Sequence, residues 1–109
     1  MEVSFNGPRL QKLCSSEKAL VRKYGVVVAR KVQLRFTQLD AADTLEDMRT
    51  LPGRCHELKG ERGGELAVDL HQPYRLVFRP AGEPPTKADG GLDWSAVSAI
   101  VVTEIVDYH

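Results

Sequence analysis

The spacing of apolar residues changes near Cys55, and each half of the chain predicts a different kind of element. Before this point, apolar side chains recur at helical spacing, which places them on one side of a core-facing helix. They are Val28, Val32, Phe36 and Leu39. After it, apolar and polar residues alternate, as in half-buried strands. This order predicts an α+β fold in which N-terminal helices pack on one face of a small antiparallel β-sheet.

Capping and turn residues set the expected limits of the helices. Pro8 suits the first turn of one helix, and Ser16 offers an N-cap to a second helix that ends before Gly25. A further short helix follows Thr44 and stops at Pro52. The first half of the chain is therefore predicted to be mainly helical.

Four segments have the composition of strands. Residues 66–70 and 74–78 alternate in polarity, and the short connection between them predicts an antiparallel hairpin. Residues 99–106 are rich in β-branched side chains and long enough for a central strand. Residues 3–5 suit a short additional strand.

Residues 80–95 are acidic and rich in proline and glycine, which predicts a long loop. We expect this loop to be a tolerated insertion. The alternatives are contact with a partner protein and mimicry of nucleic acid over the site. Trp94 is expected to anchor the loop to the core rather than to receive a nucleotide.

Length and composition fit one domain, residues 1–109, because 42% of the residues are hydrophobic and can form one core. No apolar stretch approaches the roughly 20 residues of a membrane span, and the polar start lacks a secretory signal. We therefore expect a cytoplasmic protein with no membrane partner. Cys14 and Cys55 are expected to be reduced and structural. No Cys-x-x-Cys or His-x₃-His spacing supports a metal site.

Charge is unevenly distributed although the formal net charge is zero. Residues 1–79 hold 14 Lys and Arg against 10 Asp and Glu, whereas residues 80–109 hold 1 against 5. A neutral chain argues against a nucleic-acid partner. However, a basic body can still present a positive face to phosphate, because contacts depend on local charge. The alternative is a set of scattered, solvated charges.

Two polar clusters, residues 56–60 and residues 107–109, carry the candidate chemistry. Metal-free RNA cleavage needs a base for the 2′-hydroxyl proton, an acid for the leaving 5′-oxygen, and cations to offset charge on the phosphate. His56 and His109 suit either proton role, because histidine titrates near neutrality. A solitary histidine is more often an ordinary surface or core residue, which is our interpretation of His71.

The remaining polar residues can support such a reaction. Lys59 and Arg75 can supply positive charge, and Asp107 can orient or tune a neighbour. Tyr108 can stack on a base or take part in proton transfer. Strand alternation puts Arg75 on the face opposite Tyr74, so its side chain should leave the core toward either RNA or water.

Three segments occur in a suggestive order: His-Glu-Leu-Lys-Gly at 56–60, Tyr-Arg-Leu-Val-Phe at 74–78 and Asp-Tyr-His at 107–109. Together they resemble the HigB-type toxins of the RelE/ParE superfamily of type II toxin–antitoxin systems, also described as plasmid-maintenance killer proteins. The resemblance spans nearly the whole chain in element order. It implies a RelE-like fold and a ribosome-dependent mRNA endonuclease that inhibits translation. In such toxins the 2′-hydroxyl is the internal nucleophile, and neither metal nor other cofactor is needed.

The resemblance also implies site residues and partners. The catalytic positions that match are His56, Lys59, Asp107, Tyr108 and His109. Arg75 and Arg62 match positions that contact RNA or phosphate. The implied partners are the ribosome with its mRNA and a cognate, HigA-like antitoxin of the helix-turn-helix type. The toxin is expected to contact operator DNA only through this antitoxin.

Two departures from the family keep other functions open. The chain is neutral whereas family ribonucleases are often strongly basic, and residues 80–95 are longer than in the shortest toxins of this type. One alternative is a non-enzymatic ParE-like binder that poisons gyrase. The other is a catalytically degenerate toxin that only binds its antitoxin and helps repress the operon. The sequence does not assign which histidine is the acid and which is the base.

Overall fold

A computed structural model describes residues 1–108, in which helices cover one face of a five-stranded sheet. The helices are α1 (Pro8–Cys14), α2 (Glu17–Tyr24) and α3 (Val26–Ala41), with short 3₁₀ helices at Leu45–Thr50, Gly60–Arg62 and Trp94–Ala96. The strands are β1 (Glu2–Phe5), β2 (His56–Glu57), β3 (Leu66–Asp69), β4 (Tyr74–Pro80) and β5 (Ala99–Asp107). The predicted α+β class is confirmed.

The strand order is β1-β5-β4-β3-β2, so β5 lies inside the sheet between β1 and β4. The predicted hairpin of β3 and β4 is antiparallel, as are the β2–β3 and β4–β5 pairs. In contrast to the wholly antiparallel expectation, β1 runs parallel to β5, with Glu2 opposite Ala99. Helices intervene between these two strands, and such long connections permit parallel pairing.

The helices pack as their sequences predict. Val28, Val32 and Leu39 of α3 are buried on the sheet, and the Ser16 hydroxyl caps α2 by accepting a hydrogen bond from the Ala19 amide. No helix within the described residues is long and apolar enough to cross a membrane. An unexpected member of the buried side is Arg35, which is only 4% exposed.

Strand alternation gives the sheet two different faces. On the helix-covered face, Leu66, Phe78 and Val102 lie opposite one another and are fully buried. The other face, here called the outer face, carries the side chains of the intervening positions. One row of this face contains His56, Ala67, Val77 and Glu104, and the next contains Asp69, Arg75 and Val106. The outer face therefore carries His56 and Arg75 of the predicted site residues.

Residues 80–95 fold back on themselves as a small hairpin rather than an open loop. Thr86 and Leu92 form an isolated bridge, and the Lys87 amide donates to the Gly91 carbonyl at 2.7 Å. Trp94 anchors the segment as predicted: it is buried, and its Nε1 donates to the Glu57 carboxylate at 3.1 Å. The hairpin borders a cleft with residues of β2 and β3, and Trp94 also packs against Arg49 of the 3₁₀ helix Leu45–Thr50.

Candidate functional site on the outer face of the sheet

His56 is oriented by a hydrogen bond to the backbone. It lies half-buried on the edge strand β2, with Nδ1 at 2.7 Å from the Arg54 carbonyl oxygen. A carbonyl only accepts, so Nδ1 carries the proton in this contact. In the neutral ring Nε2 is then the basic nitrogen, and no other described residue hydrogen-bonds to it. The ring is therefore held in a tautomer suited to accepting a proton through Nε2.

Arg75 and Tyr108 stack on each other on the outer face. The Arg75 guanidinium carbon lies 4.6 Å from the centre of the Tyr108 ring, a cation–π contact. The Tyr108 amide donates to the Pro73 carbonyl at 2.8 Å, which extends the pairing of β4 and β5 by one residue. Both side chains are half-buried. The prediction that Arg75 points away from the core is confirmed.

Asp69 joins Arg75 to a second arginine that the sequence did not suggest. Its carboxylate accepts a hydrogen bond from Arg54 Nε at 2.7 Å and forms an ion pair with Arg75, whose Nε lies 3.2 Å away. The hydrogen bond to Asp69 raises the pKa of the exposed Arg54 guanidinium. We call Arg54, Asp69, Arg75 and Tyr108 the Asp69 cluster. These residues border a cleft of about 140 Å³ together with Gln72, Pro73 and Tyr74.

The backbone of Asp69 is tied to the core. Its carbonyl accepts from the buried Arg35 Nε at 2.7 Å, and its amide donates to the Gly53 carbonyl at 2.7 Å. Burial lowers the pKa of the Arg35 guanidinium, although Asp69 acts in the opposite direction. Gly53 has a φ of 116°, and a Cβ there would lie 2.9 Å from the Arg35 guanidinium. The backbone of Asp69 is thus held at both its carbonyl and its amide.

Arg62 belongs to a separate group with the opposite balance of charge. It pairs with Glu104 and, at 3.2 Å, with Glu65, whose other oxygen accepts from the Thr103 hydroxyl at 2.9 Å. The hydrogen bond to Glu104 raises the pKa of the Arg62 guanidinium. We call Arg62, Glu65, Thr103 and Glu104 the Glu104 cluster. Arg62, predicted to contact RNA, is already satisfied by two carboxylates.

The other predicted residues are placed in different ways. Lys59 is exposed just before the 3₁₀ helix Gly60–Arg62 and forms no ion pair with another described residue. Asp107 lies opposite Tyr74 at the end of β5, so alternation directs it to the face opposite Tyr108. His109 lies outside the described residues.

His56 and Arg75 occupy the same face but not adjacent positions. Two strand spacings and two residues of rise separate them, which gives about 12 Å between their Cα atoms. This separation leaves room between the two side chains for part of a nucleotide chain. The face can therefore combine a proton acceptor with phosphate contacts.

The cysteines do not contribute a reactive thiol to this face. Both are free and half-buried, and burial raises the pKa of the Cys14 thiol to about 11 and that of Cys55 to about 12. Both thiols are thus protonated at neutral pH. Within residues 1–108, no three His, Cys, Asp or Glu side chains are grouped so as to hold a metal ion.

The fold is similar to that of a solved toxin. A YoeB/ParE toxin from Agrobacterium tumefaciens matches over 100% of both chains with a TM-score of 0.61 and 11% sequence identity. The predicted RelE/ParE-type fold is thereby confirmed. No protein-family model and no curated protein sequence matches the chain.

Proposed function

We propose that this protein is the toxin of a type II toxin–antitoxin system and that it cleaves mRNA on the ribosome, as HigB-type toxins do. The fold that it shares with a YoeB/ParE toxin supports the first part. The second part is carried by one observation: a histidine with a basic Nε2 lies on the same sheet face as the stacked Arg75–Tyr108 pair.

In the proposed reaction His56 is the general base. Its Nε2 takes the proton of a 2′-hydroxyl, whose oxygen attacks the adjacent phosphorus. The bond from phosphorus to the 5′-oxygen breaks as the bond to the 2′-oxygen forms, which leaves a cyclic phosphate. The departing 5′-oxygen receives a proton from the acid, for which we propose His109. Each proton transfer of this kind contributes about 10²–10⁴ in rate.

The charged residues stabilise the phosphate in this proposal. Arg75 donates to the phosphate oxygens, and Lys59, which is exposed and unpaired with any described residue, adds positive charge three residues after His56. Tyr108 provides a stacking surface for a base. Asp107, at the end of β5, is proposed to orient or tune a neighbouring side chain of the site. Arg62 is assigned a structural role instead of RNA binding, because Glu65 and Glu104 occupy it.

The proposed function implies two kinds of partner. The ribosome presents the mRNA, which places the protein in the cytoplasm. A cognate antitoxin, of the HigA-like helix-turn-helix type, neutralises the toxin and carries it to operator DNA.

The test is tightly controlled expression of wild type, His56→Ala and His109→Ala, followed by mapping of the 5′ ends of cellular mRNA. The expected result is codon-phased cleavage by wild type that disappears in both variants. His71→Ala is the matched control, since His71 is an exposed turn residue, and it should cleave as wild type does. Unphased or absent cleavage by wild type contradicts the proposal.

The paired state of Arg62 favours a second candidate, a non-enzymatic binder of the ParE kind or a toxin reduced to antitoxin binding. A gyrase poison arrests growth equally in wild type and in the histidine variants, with intact mRNA. A degenerate toxin arrests growth in neither. The same expression experiment separates both from the nuclease.

A further inference from the structure

We propose that Arg54 and Arg75 form a phosphate-binding subsite and that Asp69 is its positioning residue. The ligand is a phosphate of single-stranded RNA next to the one that is cleaved, so the proposal rests on the proposed nuclease function. Neither Arg54 nor Asp69 is suggested by the sequence motifs. Only the contacts of the Asp69 cluster point to this subsite.

Asp69 occupies one edge of each guanidinium and leaves the other edge of Arg75 open. It accepts hydrogen bonds from Nε of Arg54 at 2.7 Å and from Nη2 of Arg54 at 3.4 Å, and it forms an ion pair with Arg75, whose Nε lies 3.2 Å away. No described residue hydrogen-bonds to the two terminal nitrogens of Arg75. These nitrogens form the planar fork that binds phosphate in a bidentate manner.

The plane of the Arg75 guanidinium is set before any ligand binds. Tyr108 covers one side of the plane at 4.6 Å, and the backbone of Tyr108 is held by Pro73. The Asp69 carboxylate attracts the Nε side of the group through the ion pair, which favours an orientation with the terminal nitrogens turned away from Asp69. A donor that is already oriented loses less conformational freedom on binding, which favours affinity.

Asp69 itself is supported by the core beneath it. Its carbonyl accepts a hydrogen bond from Nε of buried Arg35, and its amide donates to the Gly53 carbonyl, so the carboxylate is carried by a residue whose backbone is held at both polar groups. The same connection reaches the proposed base, because Arg54 offers its side chain to Asp69 and its carbonyl to His56. Arg54 thereby links Asp69 to the proposed proton acceptor.

The charge of the subsite suits an anion. Two guanidinium groups and one carboxylate leave one net positive charge at the cleft, and the Arg54 side chain is 68% exposed and accessible to a ligand. A carboxylate beside a phosphate site ordinarily repels the phosphate. Positioning and repulsion therefore predict opposite effects of removing the negative charge of Asp69.

The test measures binding of a short single-stranded 2′-O-methyl RNA, which cannot be cleaved, to wild type and Asp69→Asn. We expect Asp69→Asn to bind about tenfold more weakly, even though the variant is more positive, because the arginines lose their orientation. The slope of log K against log salt should fall by about 0.7 for each phosphate that the variant no longer neutralises. Glu104→Gln, which removes a carboxylate from the Glu104 cluster, is the matched control and should not weaken binding.

A double-mutant cycle separates positioning from general loss of structure. In an Arg75→Ala background, Asp69→Asn should weaken binding less than it does in wild type, because the group that it positions is gone. Arg54→Ala tests the subsite if Asp69→Asn fails to fold, because the Arg54 side chain is exposed and its loss should not unfold the protein. We expect Arg54→Ala to weaken RNA binding about threefold.

The proposal is overturned by tighter binding of Asp69→Asn, by additive effects in the cycle, by unchanged binding of Arg54→Ala, or by wild type that does not bind the RNA. Cleavage of unmodified mRNA on ribosomes is assayed separately. Cleavage with unweakened binding of the variants removes the subsite and leaves the nuclease. Weakened binding without any cleavage by wild type removes the nuclease and leaves the subsite.

Discussion

The two arginine clusters of the outer face differ in the ratio of cations to carboxylates. In the Asp69 cluster two arginines share one carboxylate, whereas in the Glu104 cluster two carboxylates share one arginine. The first has a surplus of positive charge and open terminal nitrogens on Arg75, whereas the second has a surplus of negative charge. An arginine beside a proposed RNA path is therefore expected to contribute to binding when its cluster keeps a positive surplus.

The surroundings of the clusters increase this difference. The hairpin of residues 80–95 and the sheet enclose a cleft of about 170 Å³ bordered by Glu57 and Glu65, on the side of the Glu104 cluster. The Asp69 cluster instead borders its own polar cleft and is linked to His56 through Arg54. We therefore expect RNA to contact the Asp69 cluster and to avoid the Glu104 cluster.

Removal of the proposed base has the largest expected effect on the cleavage rate. It tests whether cleavage takes place beside the Asp69 cluster. His56→Ala should lower the rate of single-turnover mRNA cleavage on ribosomes by about 10²–10⁴, because Nε2 no longer accepts the proton. His71→Ala, in the exposed turn between β3 and β4, should retain the rate. Equal losses in both variants would contradict a specific role for His56.

Alanine substitutions at two glycines of positive φ, one near each cluster, test how firmly each cluster is attached to the core. Gly53→Ala places a Cβ 2.8 Å from Val68 and 2.9 Å from Arg35, so urea unfolding should show a loss of about 3 kcal/mol. Gly64 also has a positive φ, 92°, but a Cβ there meets nothing within 4 Å. Gly64→Ala should cost about 1 kcal/mol. Similar losses of unfolding free energy in the two variants would show that the Asp69 cluster is attached to the core no more firmly than the Glu104 cluster.

Binding of the 2′-O-methyl RNA by two arginine variants tests the difference between the clusters directly. Arg75→Ala should weaken binding about tenfold and reduce the salt slope by about 0.7, because one phosphate is no longer neutralised. Arg62→Ala should change affinity by no more than about twofold, since Glu65 and Glu104 already occupy its donors. The proposed difference is wrong if Arg62→Ala is the weaker binder of the two.

The smallest expected effect comes from removing one carboxylate from the Glu104 cluster, which brings its charge closer to that of the Asp69 cluster. Glu104→Gln leaves Arg62 paired with Glu65 alone and removes one negative charge from the face. RNA affinity should increase about twofold at low salt, and the gain should vanish as salt screens the face. A decrease in affinity would mean that the pairing of Arg62 with Glu104 itself supports RNA binding.

Local patterns in the sequence predict most of the elements but not all of their partners. Helical spacing identifies α3, the Ser16 cap identifies α2, and alternation identifies the β3–β4 hairpin, since each signal lies within one segment. The parallel pairing of β1 with β5 joins distant segments, and no local pattern encodes it. The proline and glycine content of residues 80–95 predicts a loop and hides the bridge of Thr86 with Leu92 that makes a small hairpin.

The sequence predicts the direction of side chains in the site, but not the ion pairs that they form. Alternation correctly directs Arg75 to the outer face because orientation follows from strand period alone. The counter-charges of Arg62 depend on Glu104, which lies on another strand far along the chain. Asp69 shows the same difficulty: its sequence position marks it as an outward polar residue, and only the folded contacts reveal its three arginine partners.

The parallel pairing of β1 with β5 has a consequence for the order of assembly during translation. Helices α1–α3 and the β3–β4 hairpin leave the ribosome before β5, yet β5 lies between β4 and β1. Until β5 emerges, β1 has no neighbour and the sheet lacks its centre. The Tyr108 ring on which Arg75 stacks is also synthesised after β5. Arg75 therefore meets its stacking partner, and the sheet gains its centre, only after β5 has been added.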